Sequence, residues 1–150
     1  IAMKWIEPNE KVIQEIGLAM REVDELEVRL SHDLDPLTAV MESAKNSDIC
    51  RAIEGDNGDP VGLTGVTNQS IWLLGTDGLT ATKNHRKKLC IDGRKWVEYC
   101  LDKTGKPIGN WVYHKNKSSI KWLKHLGFTV EDPRPYGHSR DLFCQFWRIN

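Results

Sequence analysis

The apolar positions of the chain change period six times, and each change marks a boundary between predicted elements. "MKWIEP" has the alternation of a short strand and stops at Pro8, after which Asn9 is placed to cap a helix. Val12, Ile16, Met20, Val23, Leu26 and Leu30 then recur at three- and four-residue steps, with Glu15, Glu22 and Glu25 on other faces, which predicts one long amphipathic helix. "HDLDP" interrupts it. Asp35 followed by Pro36 is the combination expected of an N-cap and a first helical residue, and Leu37, Val40, Met41 and Ala44 give the second helix its inward stripe as far as Asn46.

Past that point the pattern shortens to strands. "ICRAIE", "PVGLTGV" and "SIWLLGT" are separated by "GDNGD" and "TNQ", with Asn57-Gly58 as the hairpin signal, and predict three consecutive antiparallel strands. A helix returns from about His85 to Lys103, carrying Leu89, Trp96, Val97 and Cys100 on one side, where Gly93 permits a close crossing. After "TGKP" come the strand "IGNWVY", a short basic helix within "NKSSIKWLKHLGF" and two closing strands, "TVED" and "LFCQFWRIN". The expected fold is α+β: one domain over residues 1–150, with a mixed, mostly antiparallel sheet of about seven strands and four helices on its two faces. "SIWLLGT" and "IGNWVY" form a parallel pair joined through the intervening helix.

Composition changes this picture little. A chain of 150 residues with 39% apolar content can bury a core without cross-links. Cys50, Cys90, Cys100 and Cys144 are scattered without a CxxC pair and read as reduced thiols, and His32, His125 and His138 are too dispersed for a metal site. No run is long and apolar enough to span a membrane, and "IAMKWIEPNEK" lacks the apolar core of a signal peptide, so the expectation is an intracellular protein whose native start is Met3. Zero net charge conceals an acidic first part and a basic remainder: residues 1–60 hold 6 Lys/Arg against 14 Asp/Glu, and residues 61–150 hold 15 against 7. The basic part suits an anionic ligand, while the acidic part and the lack of a known module oppose nucleic-acid binding.

The element order, together with the spacing of Asn116, Ser119, Ile120, Leu126, Gly127 and Phe128, resembles the GCN5-related N-acetyltransferases. More narrowly, "DPLTAVMESAKNSD", "WLLGTDGL" and "SIKWLKHLGF" resemble an acetyltransferase-like family of short-tailed bacteriophages, some members of which are internal virion proteins. The resemblance implies that acetyl-CoA, or another acyl-coenzyme A, lies in a gap between the two splayed parallel strands, its pantetheine amides paired with strand backbone. Leu74 and Thr76 would flank the coenzyme on the first of those strands, Asn116 would hydrogen-bond its arm, Ser119 would leave the arm room, and Arg86, Lys87 and Lys88 would meet its phosphates. Simpler roles compete: Asn116 as a helix cap, and the three cations as a solvated turn.

Two departures from the family pattern bear on chemistry. "TDGLTATKNHRKKLCIDG" has no Gly-x-Gly at the helix start, and Leu123 stands where the family often places a Tyr that protonates the leaving thiolate. His114 and Glu54 are the candidate bases, and His85 is a further candidate for phosphate contact. The expected activity is acyl transfer to an amine. The rival expectation is an inert protein of this fold that binds a virion or host protein, in the host cytoplasm or the phage particle.

Overall fold

The computed structural model describes residues 3–150. In chain order the elements are β1 (Lys4–Ile6), α1 (Glu10–Leu18), α2 (Glu22–His32), α3 (Pro36–Asn46), β2 (Ile49–Glu54), β3 (Pro60–Thr67), β4 (Ser70–Gly75), a 3₁₀ turn (Asp77–Thr80), α4 (Lys83–Thr104), β5 (Ile108–Tyr113), α5 (Lys117–His125), β6 (Thr129–Val130), β7 (Arg134–Pro135) and β8 (Leu142–Arg148). All eight strands join one sheet in the order β1-β2-β3-β4-β5-β8-β6, with β7 also paired to β8. Every neighbouring pair is antiparallel except β4 and β5. The α+β architecture and its central parallel pair are as expected. The sheet has one more two-residue strand than the sequence pattern indicated, and there are five α-helices rather than four.

Local chemistry accounts for most boundaries. The Asn9 side chain accepts from the Val12 N–H at 2.9 Å and that of Asp35 from the Thr38 N–H at 3.1 Å, so both predicted caps hold the first turns of α1 and α3. Asn68 (φ 48°) and Gln69 (φ 71°) make the two-residue turn between β3 and β4. Gly127 (φ +91°) ends α5 in the left-handed conformation that favours glycine.

The extra helix corrects the reading of residues 9–30 as a single helix. Nothing local breaks it, since Ala19, Met20 and Arg21 include no Gly or Pro. The break is tertiary: Met20 bridges Thr76, and the Arg21 N–H donates to the Gly75 carbonyl at 2.8 Å, so this short stretch lies against the end of β4.

Helices cover both faces of the sheet. On one, Val97, Cys100 and Leu101 of α4, Leu123 of α5 and Leu126 at its C-cap pack on Ile71, Ile108, Val112 and Phe146. On the other, Ile16 and Val40 of α1 and α3 pack on Ala52, Leu63 and Leu74. Full burial of such a side chain contributes about 1.5–3 kcal/mol. At α4, Gly93 makes the close crossing anticipated for it: a methyl group there would lie 3.0 Å from the Trp122 ring. α2 differs from the other helices in that its one buried residue is Asp24.

Candidate active site

β4 and β5 run parallel but meet only at Ser70 and Gly109, where the Gly109 N–H donates to the Gln69 carbonyl at 3.1 Å. One residue later Asn110 fills the vertex of the opening: its Nδ2 donates to the Ile71 carbonyl at 3.0 Å and its Oδ1 accepts from the Trp111 N–H at 2.9 Å. Beyond this wedge the strands separate. A cleft of about 430 Å³ passes through the fork, lined by Glu27 and Glu42 on the α2–α3 side of the sheet and by Ser119, Trp122 and Leu123 of α5 on the other.

Splayed strands leave main-chain groups without ladder partners, and buried N–H groups need acceptors. Alternation along β4 points the N–H and C=O groups of Ile71, Leu73 and Gly75 into the gap. On β5 the gap-facing N–H groups belong to Trp111 and Tyr113. α2 supplies acceptors to both tines from two carboxylates one turn apart. Asp24 Oδ2 accepts from the Gly75 N–H at 2.8 Å, while the same carboxylate is held by Arg21 Nε at 2.8 Å and Nη2 at 2.9 Å. Glu27 Oε1 accepts from the Tyr113 N–H at 3.0 Å and from Asn116 Nδ2 at 3.1 Å.

Glu27 is the group in the fork whose acidity is most altered. Burial pushes its carboxyl up to about 7, against the opposing pull of the Asn116 and Tyr113 hydrogen bonds, with Asp24 raising it further and Arg21 lowering it. Its second oxygen, Oε2, makes no hydrogen bond to the described residues. A carboxyl that titrates near neutrality, with one oxygen anchored and one free in a cleft, has the properties required of a proton acceptor.

The residues singled out from the sequence fall into three groups. Ser119 and Leu74 line the cleft, although the backbone of Leu74 faces β3. Asn116 is buried beside it, its Oδ1 accepting from the Ser119 N–H at 3.3 Å and its Nδ2 donating to Glu27, so its amide caps α5 and holds Glu27 at once. Thr76 turns away: its N–H donates to the Val61 carbonyl on β3, and its Oγ1 accepts from the Gly78 N–H at 3.2 Å. Arg86, Lys87 and Lys88 follow the N-terminus of α4, where Thr82 caps His85 and leaves the amides of Lys83 and Asn84 without intrahelical partners.

Glu54 and His114 do not line the cleft. Glu54 ends β2, paired with Lys4 of β1, two strands from β4, and His114 follows β5 with its N–H bonded to the Leu142 carbonyl. His85 is engaged elsewhere: Nδ1 lies 2.7 Å from the Gly78 carbonyl and Nε2 accepts from the Asp56 N–H at 3.1 Å, which joins the β2–β3 turn to the 3₁₀ turn.

Three residues of the fork escaped the sequence reading: Asp24, Glu27 and Asn110. Glu27 carried a usable signal, since it lies four residues after Val23 and three before Leu30, an acid on an apolar stripe.

Solved structures resemble this arrangement over nearly its whole length. The ribosomal-protein-S5-alanine acetyltransferase from Vibrio fischeri matches with TM-score 0.67 at 13% identity, covering 100% of this chain and 94% of its own. The spermidine N-acetyltransferase from Vibrio cholerae, in complex with CoA and spermine, matches with TM-score 0.63 at 12% identity, covering 98% and 95%. An acetyltransferase from Agrobacterium tumefaciens matches with TM-score 0.67 at 11% identity, covering 99% and 91%. The fold is that of the GCN5-related N-acetyltransferases. No protein-family model and no curated protein matches the sequence.

One of these neighbours is in complex with CoA, and the main-chain groups at the fork of this chain are open to a ligand only in part. Leu73 presents a gap-facing N–H and C=O where no strand pairs with β4 on that side, and the cleft walls beside it are apolar. At Gly75, however, both main-chain groups are already bonded to α2, and at Ile71 the carbonyl is bonded to Asn110.

Proposed function

We propose that the protein is an acyl-coenzyme A-dependent N-acyltransferase that acts on a primary amine, with Glu27 as the proton acceptor. The observation that carries this reading is a carboxyl titrating near 7, anchored to β5 and α5, with its free oxygen at a cleft through the fork. The coenzyme, when bound, supplies an acyl thioester whose C–S bond is exchanged for a C–N bond to the amine.

The chain's own groups favour a cationic acceptor. Among the described residues lining the cleft, Arg21 is the only Lys or Arg, and its guanidinium is bound to Asp24, so neither Glu27 nor Glu42 has an ion-pair partner there. An ammonium group entering from the α2–α3 side meets Glu27 Oε2, and loss of its proton to that oxygen leaves a nucleophilic amine held in the fork. Trp111 and Tyr136, stacked with ring centroids 4.3 Å apart and with the Arg134 guanidinium 5.2 Å over Trp111, line the cleft beside these carboxylates. The substrates named for two structural neighbours, spermidine and an alanine of ribosomal protein S5, both carry amines. Leu123 lines the cleft on the α5 side and offers no proton to a departing thiolate. The thiolate therefore leaves unprotonated or takes its proton from solvent.

A second reading is favoured by the bonded state of Gly75 and by Leu123. It is an interaction protein of short-tailed phage that keeps the fold without the reaction and meets a virion or host partner in the host cytoplasm or the particle. Titration calorimetry with acetyl-coenzyme A separates the two, followed by an assay of coenzyme A release with primary amines. Binding and turnover that falls about 10²- to 10⁴-fold in Glu27→Gln support the enzyme. Absence of both binding and turnover supports the interaction protein.

A further inference from the structure

Gly75 is where the fork and the family's way of holding its coenzyme disagree. The Gly75 N–H and C=O are the last pair on the gap-facing edge of β4, next to the turn that leads to α4. Both are bonded by the chain itself: the N–H to Asp24 Oδ2 at 2.8 Å and the C=O to the Arg21 N–H at 2.8 Å. One acceptor and one donor side by side are what a secondary amide presents, and a pantetheine arm carries two such amides. The Met20–Thr76 bridge extends the same contact one residue further along. We propose that the stretch Met20–Asp24 is an internal occupant of the coenzyme edge of β4, and that an acyl-coenzyme A binds by taking its place. This rests on the N-acyltransferase reading above.

The way α2 is attached makes such an exchange feasible. α1 is fastened by Ile16, which is fully buried, and by Gly17, where an added methyl would lie 2.7 Å from Val40. α2 has no buried apolar residue, and its buried group is Asp24 itself. Arg21, at the N-cap, makes no side-chain cap bond, and its backbone is extended (φ −59°, ψ 147°). Apart from half-buried Met20, which packs beside Ile16, Val40 and Leu74, the stretch is held by hydrogen bonds that a ligand amide can replace one for one. Glu27 stays anchored a turn later through Tyr113 and Asn116, so the displacement is confined to the first turn.

The exchange predicts an observable that a purely structural Asp24 would not produce. In the free protein the Arg21 amide is protected by Gly75, and saturation with acetyl-coenzyme A should raise its hydrogen-exchange rate at least tenfold while Gly75 stays protected by the ligand. Removing the occupant should tighten acetyl-coenzyme A at least tenfold in Asp24→Ala. The double variant Arg21→Ala/Asp24→Ala avoids stranding the guanidinium and should show the same gain, so a folding defect in the single variant does not decide the matter. Binding in which Arg21 keeps its protection, or equal affinity in the wild type and both variants, overturns the exchange and leaves the N-acyltransferase reading standing. No binding to the wild type or to either variant overturns both.

Discussion

Replacing Glu27 by Gln tests whether the fork holds a group kept from ionising by its surroundings. Gln keeps an oxygen for the Tyr113 and Asn116 donors but cannot carry charge. In the folded protein Glu27 titrates at about 7, against an ordinary value of 4.5, so between those pH values the folded state holds a proton that the unfolded chain has released. Stability from this group is full below about 4.5 and is lost as pH rises through 7. At about 1.4 kcal/mol per pK unit the loss over the whole titration is at most ~3.5 kcal/mol, an upper bound because the cleft admits water that screens the charge. Urea unfolding of both proteins at pH 4.5 and pH 8 isolates this term, since the other titrating groups are common to the two. Glu27→Gln should match the wild type at pH 4.5 and exceed it at pH 8 by up to ~3 kcal/mol. A stability difference that is the same at both pH values would refute the reasoning, because a group with an ordinary acidity gains nothing from neutralisation at one pH over the other.

Asn116→Ala should move the Glu27 titration upward, as one of the two bonds favouring its charged form is lost, and destabilise the protein by about 1 kcal/mol through the lost cap; carboxyl NMR titration and thermal unfolding report these separately. Gly109→Ala places a methyl on the Phe146 carbonyl and should cost about 3 kcal/mol by urea unfolding, because the vertex of the fork cannot widen without breaking β5 from β8. Replacing Arg86, Lys87 and Lys88 together by Ala should weaken acetyl-coenzyme A binding and flatten its salt dependence, as expected if these exposed or half-exposed cations meet phosphate; calorimetry at two ionic strengths checks it. Leu123→Tyr should raise coenzyme A release if the reaction lacks only a proton donor, with a packing cost of about 1–3 kcal/mol at this buried site.

What the sequence made legible was whatever neighbouring residues decide. Asp35-Pro36, Asn57-Gly58 and the left-handed Gly127 act within a few positions, and the periods of the apolar residues placed the strands and most of the helices. The break between α1 and α2 was hidden because its cause, β4, lies more than fifty residues further on. Glu27 was hidden for the same reason: its partners Tyr113 and Asn116 are 86 and 89 positions away, and an acid on an amphipathic helix is ordinarily assigned to water.

Backbone accounting offers a route to such residues that needs no long-range pattern. Two parallel strands that diverge must orphan N–H groups on their facing edges, here those of Leu73, Gly75, Trp111 and Tyr113, and the last three take an acceptor from elsewhere in the chain. Asp24, Asn110 and Glu27 meet that need one apiece, so all three have a reason to be present whether or not the protein is an enzyme. Asn110 uses both ends of its amide across the vertex, and Asp24 is paired with Arg21. Glu27 alone satisfies its strand with one oxygen and keeps the other free. That surplus acceptor, on a carboxyl pushed into the neutral range, is the part of the fork that strand geometry does not require, and chemistry has to be sought there.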